Sequence, residues 1–297
     1  MGLPERTTTV ADAIAAGSRL LRDAGSPTPR LDAELLLAHV LGRERTWLLA
    51  HPEASLDDDA AYEALLERRA ADEPVAYLRG FKEWRSLRIR TDARALVPRP
   101  ETELLLEAAI DEISARMARD DATIVAWEVA TGSGAVATAL ALRYREALAL
   151  GRLRLIASDL SPDALELAAE NLAAHGVQQL VDVACADLLS PAGVTLPRPD
   201  VVIANLPYVA SDEVDARGGS FKHEPRIALD GGDDGLVVLR RLTVELPERA
   251  APGAVVLLEI GIGQAEAVAG IAPGGASVAT VPDLAGIGRV VRIGLPA

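Results

Sequence analysis

Three stretches of this 297-residue chain combine residue types that could hold a nucleoside-like ligand beside a reactive polar group. The first, Glu128-Val129-Ala130-Thr131-Gly132-Ser133-Gly134, falls where an apolar run gives way to a helix-like run. Glycines there let a ligand approach the backbone, and a helix N-terminus offers unpaired amides. Taken alone, Gly-x-Gly is a weak signal, because strand-to-helix turns call for glycine on steric grounds. The second feature is serial. Asp159, followed by Leu160, closes the next apolar run, and Asp187, followed by Leu188, closes the one after it. A carboxylate at such a strand end can accept both hydroxyl protons of a ribose, and successive ends of this kind along one sheet edge describe a nucleoside-shaped cleft. Ala137 occupies the third position of the dinucleotide fingerprint, which tolerates it, so this loop by itself leaves a nicotinamide dinucleotide open.

The third stretch decides between the ligands. The apolar run Val201-Val202-Ile203-Ala204 leads straight into Asn205-Leu206-Pro207-Tyr208. An Asn-x-Pro-aromatic turn on a strand end resembles the signature of S-adenosylmethionine-dependent enzymes that methylate amides or the exocyclic amines of bases. An amide nitrogen delocalises its lone pair into the carbonyl, so it must be held by acceptors on both hydrogens and aimed at the methyl group. The Asn205 side-chain oxygen and the Leu206 carbonyl can supply those acceptors. Tyr208 can pack on a planar substrate group, and Pro207 stiffens the turn before substrate arrives.

These residues require a parallel sheet to position them. From Pro100 onward helix and strand signals alternate: a helix over 104–113, a strand over 124–129 and a helix over 136–148. Further strands are predicted over 153–158, 181–185, 201–204 and 254–259, with a helix over 236–246 and two tail strands over 276–281 and 289–293. Ser161-Pro162 reads as a capped helix start. Before Pro74 the pattern is helical only, with apolar Ile14, Leu20, Leu21, Leu31, Leu35, Leu36, Val40, Leu41, Leu65 and Leu66 at helical spacing. Trp84 to Arg90 alternates like a half-buried strand, as in a hairpin connector. The expected division is a helical domain over 1–75, a β-hairpin linker over 76–99 and an α/β domain over 100–297.

Composition narrows the partners. A net charge of −14 repels phosphate backbones and argues against direct nucleic-acid binding. No run approaches a membrane span, and one cysteine with a polar N-terminal start points to the cytoplasm. Cys185 lies in an apolar run and is expected to be buried and inert. His39, His51, His175 and His223 lack metal-ligand spacing, so no metal is expected. Asp57-Asp58-Asp59 reads as a solvated helix start, and His223-Glu224 before Pro225 as either site lining or a surface loop.

Nearly the whole chain resembles the HemK/PrmC family of glutamine methyltransferases that modify class-1 peptide chain release factors. The resemblance runs through Ser26 to Leu36, Arg68-Arg69, Glu73 to Gly80, Asp159 to Leu165, Glu224-Pro225, Ala228 to Leu236 and Leu258 to Gly261. Its most specific part is Val97-Pro98-Arg99-Pro100-Glu101-Thr102-Glu103. It implies a Rossmann-like class I methyltransferase with a seven-stranded, mostly parallel sheet whose last strand is antiparallel, preceded by a small helical domain that recognises the protein substrate. By position it implies S-adenosylmethionine contacts from Glu128, Ala130 to Gly134, Asp159, Leu160, Asp187, Leu188 and Asn205. It likewise implies a substrate clamp of Asn205, Leu206, Pro207 and Tyr208, in a monomer acting on release factors. The family usually has aspartate at Glu128, glycine at Ala130 and proline at Leu206. Asn-Leu-Pro-Tyr also resembles the motif of ribosomal RNA adenine dimethylases, which keeps an N6-adenine substrate as the alternative. A non-catalytic S-adenosylmethionine-binding relative is a third. The acidic charge and the helical segment favour the protein substrate.

Overall fold

The computed structural model describes residues 8–56, 60–119, 122–216 and 218–297. Asp57, Asp58 and Asp59 lie outside them. The described chain divides into two compact units, one reaching up to Phe81 and including Gly218–His223, the other built from Lys82 onward without that segment.

The first unit is helical: α1 (Val10–Asp23), α2 (Pro29–Leu41), α3 (Arg45–Ala50), α4 (Ala60–Ala70) and α5 (Val75–Arg79). Thr9 opens α1 with a reciprocal capping box to Asp12, and Gly42 closes α2 in the left-handed conformation. Leu21, Leu36, Leu37, Leu48, Tyr62 and Leu66 form its core, whereas Leu20 and Leu31 face solvent. The residues of the Ser-Pro-Thr-Pro-Arg-Leu-Asp run turn out to be scaffolding. Buried Asp32 accepts from Ser26 Oγ at 2.8 Å, Thr28 Oγ1 at 2.8 Å and Arg69 Nε at 2.8 Å. Glu34, also buried, accepts from Arg30 at 2.8 Å and Arg45 at 2.6 Å.

The second unit begins one residue into the hairpin of β1 (Phe81–Trp84) and β2 (Leu87–Arg90), turned at Arg85 and Ser86, which both have positive φ. Trp84 and Ile89 enter the core of this unit, and Asn171 holds β2 by accepting from Arg90 N and donating to Arg90 O. Next come α6 (Thr102–Met117), β3 (Ile124–Val129), α7 (Ala135–Arg143), α8 (Arg145–Ala149), β4 (Leu153–Asp159), α9 (Pro162–Ala174) and β5 (Val181–Asp187). The chain continues through β6 (Ser190–Pro191), β7 (Val201–Ala204), α10 (Ser211–Ala216), α11 (Val237–Arg249), β8 (Val255–Glu259), α12 (Ala265–Gly270), β9 (Ser277–Pro282) and β10 (Gly288–Gly294).

Among the described residues the main sheet has eight strands in the order β6-β5-β4-β3-β7-β8-β10-β9. Strands β5, β4, β3, β7 and β8 are parallel, and β10 runs antiparallel to both β8 and β9. This is the expected seven-stranded arrangement with one addition. The two-residue β6 pairs antiparallel with the end of β5, Asp187 opposite Ser190. Strands β3, β7 and β8 are apolar except for Glu128 and Glu259 and almost wholly buried because helices cover both sheet faces. Two expectations are corrected. The helix over 136–148 is broken at Tyr144, whose hydroxyl donates to Ile110 O at 2.8 Å and meets Ser114 at 2.7 Å. Cys185 is exposed, because β5 lies near the sheet edge and its middle residues Asp182 and Val183 are open to solvent.

Candidate active site

The order of connections reverses between β3 and β7: the chain builds outward through β4 and β5, then returns to β7 on the other side. Ligands of open parallel sheets bind at the carboxyl ends of strands flanking such a reversal. A cavity of about 260 Å³ opens there. Its wall contains Glu128, Ala130, Thr131, Gly132, Ser133, Asp159, Leu160, Asp187, Leu188, Asn205, Leu206 and Pro207, while Gly134 and Tyr208 are not among the lining residues.

Chain geometry explains most of these positions. Ala130, Gly132 and Gly134 all have positive φ, at 56°, 55° and 73°. The two glycines serve different ends. A Cβ on Gly134 would lie 2.9 Å from Ala168 Cβ, so that glycine admits α9. On Gly132 a Cβ would meet only Ala95 Cβ at 3.9 Å, so that glycine keeps backbone open to a ligand. Ala130 adopts the left-handed conformation with a Cβ in place, at a cost of about 1–2 kcal/mol. Leu206 lines the cavity and is itself 2% exposed, in the core cluster that holds Leu239, Leu242 and Leu246 of α11.

The charged groups are unusual. Asp159 accepts from Gly132 N at 2.9 Å through one oxygen and from Ser161 N at 2.9 Å through the other. Each oxygen has a second lone pair, so the carboxylate can still accept from two ligand hydroxyls. Burial raises its pKa despite those amides. Glu128 accepts from Thr131 Oγ1 at 2.8 Å, and burial pushes it up to about 8. Asp187 is paired with Arg241 at 2.6 Å at the mouth. Asn205 donates from Nδ2 to Thr102 Oγ1 at 3.2 Å, which leaves its oxygen for a ligand.

Three parts of the wall were not among the expected site residues, although they overlap segments that carry the family resemblance and Glu224 reads as either site lining or a surface loop. The segment Arg94 to Arg99 closes one side, held by the Trp84 indole donating to Arg99 O at 3.0 Å. Pro225, Ile227, Ala228 and Asp230 close another. The two are bolted together by buried Glu224, which accepts from Arg99 Nη2 at 2.7 and 2.9 Å and from Val97 N at 3.4 Å. Glu224 is therefore part of the wall's support, whereas His223 faces Ala71 O in the first unit at 3.0 Å. The third part is Thr102, the first residue of α6. No group of His, Cys, Asp and Glu that could hold a metal ion occurs among the described residues. Likewise, no described helix is long and apolar enough to cross a membrane.

A reversal-point cavity with a glycine-rich first loop, acidic ends on the next strands and Asn-Leu-Pro-Tyr beyond them defines a class I methyltransferase. The fold agrees with the hMettl16 catalytic domain solved in complex with MAT2A 3′UTR hairpin 6, at a TM-score of 0.50 and 12% identity, covering 76% of this chain and 83% of that one. Residues 12–80 match the family model described as the PrmC N-terminal domain. The release factor glutamine methyltransferase of Cereibacter sphaeroides is 39% identical over 97% of this chain and 99% of its own length. That of Deinococcus radiodurans is 38% identical over 93% of this chain and 95% of its own length. The chain belongs to the release factor glutamine methyltransferase family.

Proposed function

We propose that this protein methylates the side-chain amide nitrogen of a glutamine in class-1 peptide chain release factors, as a monomer in the cytoplasm, using S-adenosylmethionine. The observation that carries the reading is Asn205 in the cavity wall, its Nδ2 donating to Thr102 Oγ1 at 3.2 Å, an arrangement that leaves its oxygen available as an acceptor. The residues present fit the cofactor: Gly132 leaves its backbone open, and Asp159 retains acceptor capacity for ribose hydroxyls. When bound, S-adenosylmethionine supplies an electrophilic methyl on a sulfonium. Glu128 and the Ala130 to Gly134 loop would hold it on one side, Asp159 and Leu160 would take its ribose, and Asp187 and Leu188 its adenine side.

The chain's own work is orientation. Asn205 Oδ1 and the Leu206 carbonyl accept the two hydrogens of the glutamine amide, which aims the nitrogen's out-of-plane lone pair at the methyl. Positive charge builds on that nitrogen as amide resonance is lost, so both acceptors strengthen in the transition state; the methylated nitrogen then loses one of the held hydrogens as a proton to solvent, and S-adenosylhomocysteine is the other product. Pro207 fixes the carbonyl's direction, and Gln264 holds the turn by donating to Tyr208 O at 3.0 Å. The helical first unit contributes recognition of the protein substrate and takes no part in the chemistry.

The test is label transfer. Protein incubated with methyl-labelled S-adenosylmethionine should mark an intact release factor on glutamine and leave ribosomal RNA unmarked. Label in the RNA alone would overturn the reading. Cofactor binding without transfer to either would favour a non-catalytic relative.

A further inference from the structure

The Asp187 end of the cavity is held by groups that the binding scheme above does not use. Asp187 pairs with Ser190 where β5 meets β6, so Leu188 and Leu189 make a two-residue hairpin turn. Only the first of them, Leu188, has positive φ, at 54°, in a position that such a turn normally gives to glycine. Leu188 is nevertheless a buried side chain in the cavity wall. Of the five non-glycine residues with positive φ among the described residues, two, Ala130 and Leu188, line this cavity. Strained backbone of this kind persists only where the surroundings over-determine it.

The surroundings here are one face of α11. Arg241 Nη2 donates to Asp187 Oδ2 at 2.6 Å on one side of the turn. Glu245, one helical turn further on, accepts from Leu189 N at 3.2 Å and from Ser190 Oγ at 3.3 Å on the other, both through Oε2. The Arg241 and Asp187 side chains are 48% and 44% exposed, so their ion pair contributes little to stability. Both residues line the cavity, and Asp187 Oδ1 takes no hydrogen bond among the described residues.

We propose that Arg241 and Glu245 are positioning residues that hold the strained 187–190 turn so that Asp187 offers Oδ1 to the exocyclic amine of a 6-aminopurine and refuses a 6-oxopurine; the proposal rests on the S-adenosylmethionine placement above. A carboxylate only accepts hydrogen bonds. An amine donates to it, whereas an oxo group in the same place sets lone pairs against lone pairs. The distinction counts only while the carboxylate is fixed. Left unheld, a half-exposed Asp187 turns to water and the two purines are taken alike. Arg241 occupies one oxygen and thereby aims the other, and Glu245 keeps the backbone beneath from relaxing out of the left-handed conformation.

The experiment is calorimetry on the full chain with S-adenosylhomocysteine and with its 6-oxo counterpart, S-inosylhomocysteine. Wild type should bind the amino form at least about tenfold more tightly. In Arg241→Met and in Glu245→Leu that preference should fall below about threefold, while affinity for the oxo form stays within about threefold of wild type. Glu245→Gln keeps a carbonyl oxygen for Leu189 and Ser190 and should retain the preference. Arg241 is exposed, so Arg241→Met carries the comparison if Glu245→Leu fails to fold. A wild-type preference kept in either folded variant, its loss in Glu245→Gln, or an equal loss of affinity for both ligands overturns the proposal. So does a wild type that binds S-adenosylhomocysteine without distinguishing the two purines, and the cofactor reading then stands. A wild type that binds neither ligand removes the cofactor reading and the proposal with it.

Discussion

Both units bury acids, but they treat them in opposite ways. In the helical unit Asp32 is met by two hydroxyls and Arg69, and Glu34 by Arg30 and Arg45. Burial alone would raise Glu34, yet its two arginines hold it below the usual carboxylate value. Along the sheet edge Glu128, Asp159 and Glu259 have hydroxyls and amides as neighbours but no ion-pair partner among the described residues, and burial raises all three. A neutralised buried acid fixes structure. An unneutralised one costs stability and retains lone pairs for something else, which is the signature expected of a site. Glu224 stands between: burial raises it although Arg99 is bound to it, and it supports the cavity wall.

The contrast can be broken from either side. The largest effect should come from Arg69→Met, which strands Asp32 in the core and should cost about 3–5 kcal/mol in denaturant unfolding. A loss below about 1 kcal/mol would mean that the pair is not structural. Asn205→Ala should come next, lowering turnover on a release factor about 10²–10³-fold with the fold intact by circular dichroism. Activity within about threefold of wild type would remove the clamp. Asp159→Ala should weaken S-adenosylmethionine binding by about 1.5–3 kcal/mol, and calorimetry showing unchanged affinity would detach this carboxylate from the ribose. The smallest effect has the opposite sign. Because the folded state raises Glu128 from 4.5 to about 8, its contribution is fully present below pH 4.5 and is lost as pH rises through 8. Glu128→Gln should thus match wild type at pH 4 and melt at least about 2–4 °C higher at pH 9, the shift of about 1 kcal/mol in a domain of this size. Equal melting at pH 9 would show that the ionised acid is accommodated after all.

What could be read from the sequence follows from how each signal arises. Strands β3 and β7 were legible residue by residue because both faces are buried and, apart from Glu128, every side chain is apolar. The short α3 and α5 went unread, since a helix of one or two turns shows no period. Cys185 was misread because an edge strand and a central strand look alike in a short apolar segment. In the site, glycine loop, acidic strand ends and Asn205 were legible because their chemistry depends on residue type at strand ends. The Arg94 to Arg99 wall and its tie to Glu224 were not, since residues 125 apart in sequence meet only through the fold.

The partition of the chain has a consequence for how the protein can be taken apart. The segment Gly218–His223 belongs with the helical unit although the sequence on either side of it belongs with the sheet. The described chain therefore changes unit after Phe81, again at Gly218 and once more after His223. A single cut, or a single gene fusion, joins or parts two bodies across one peptide bond. Here the third passage immediately precedes Glu224, the residue that bolts the cavity wall, and the second lies only six residues before it. Shortening the chain from its N-terminus would leave His223 without its partner Ala71 O, one residue from that bolt. Recombination between relatives should accordingly succeed when the 218–223 segment travels with the helices and fail when the two are inherited from different parents.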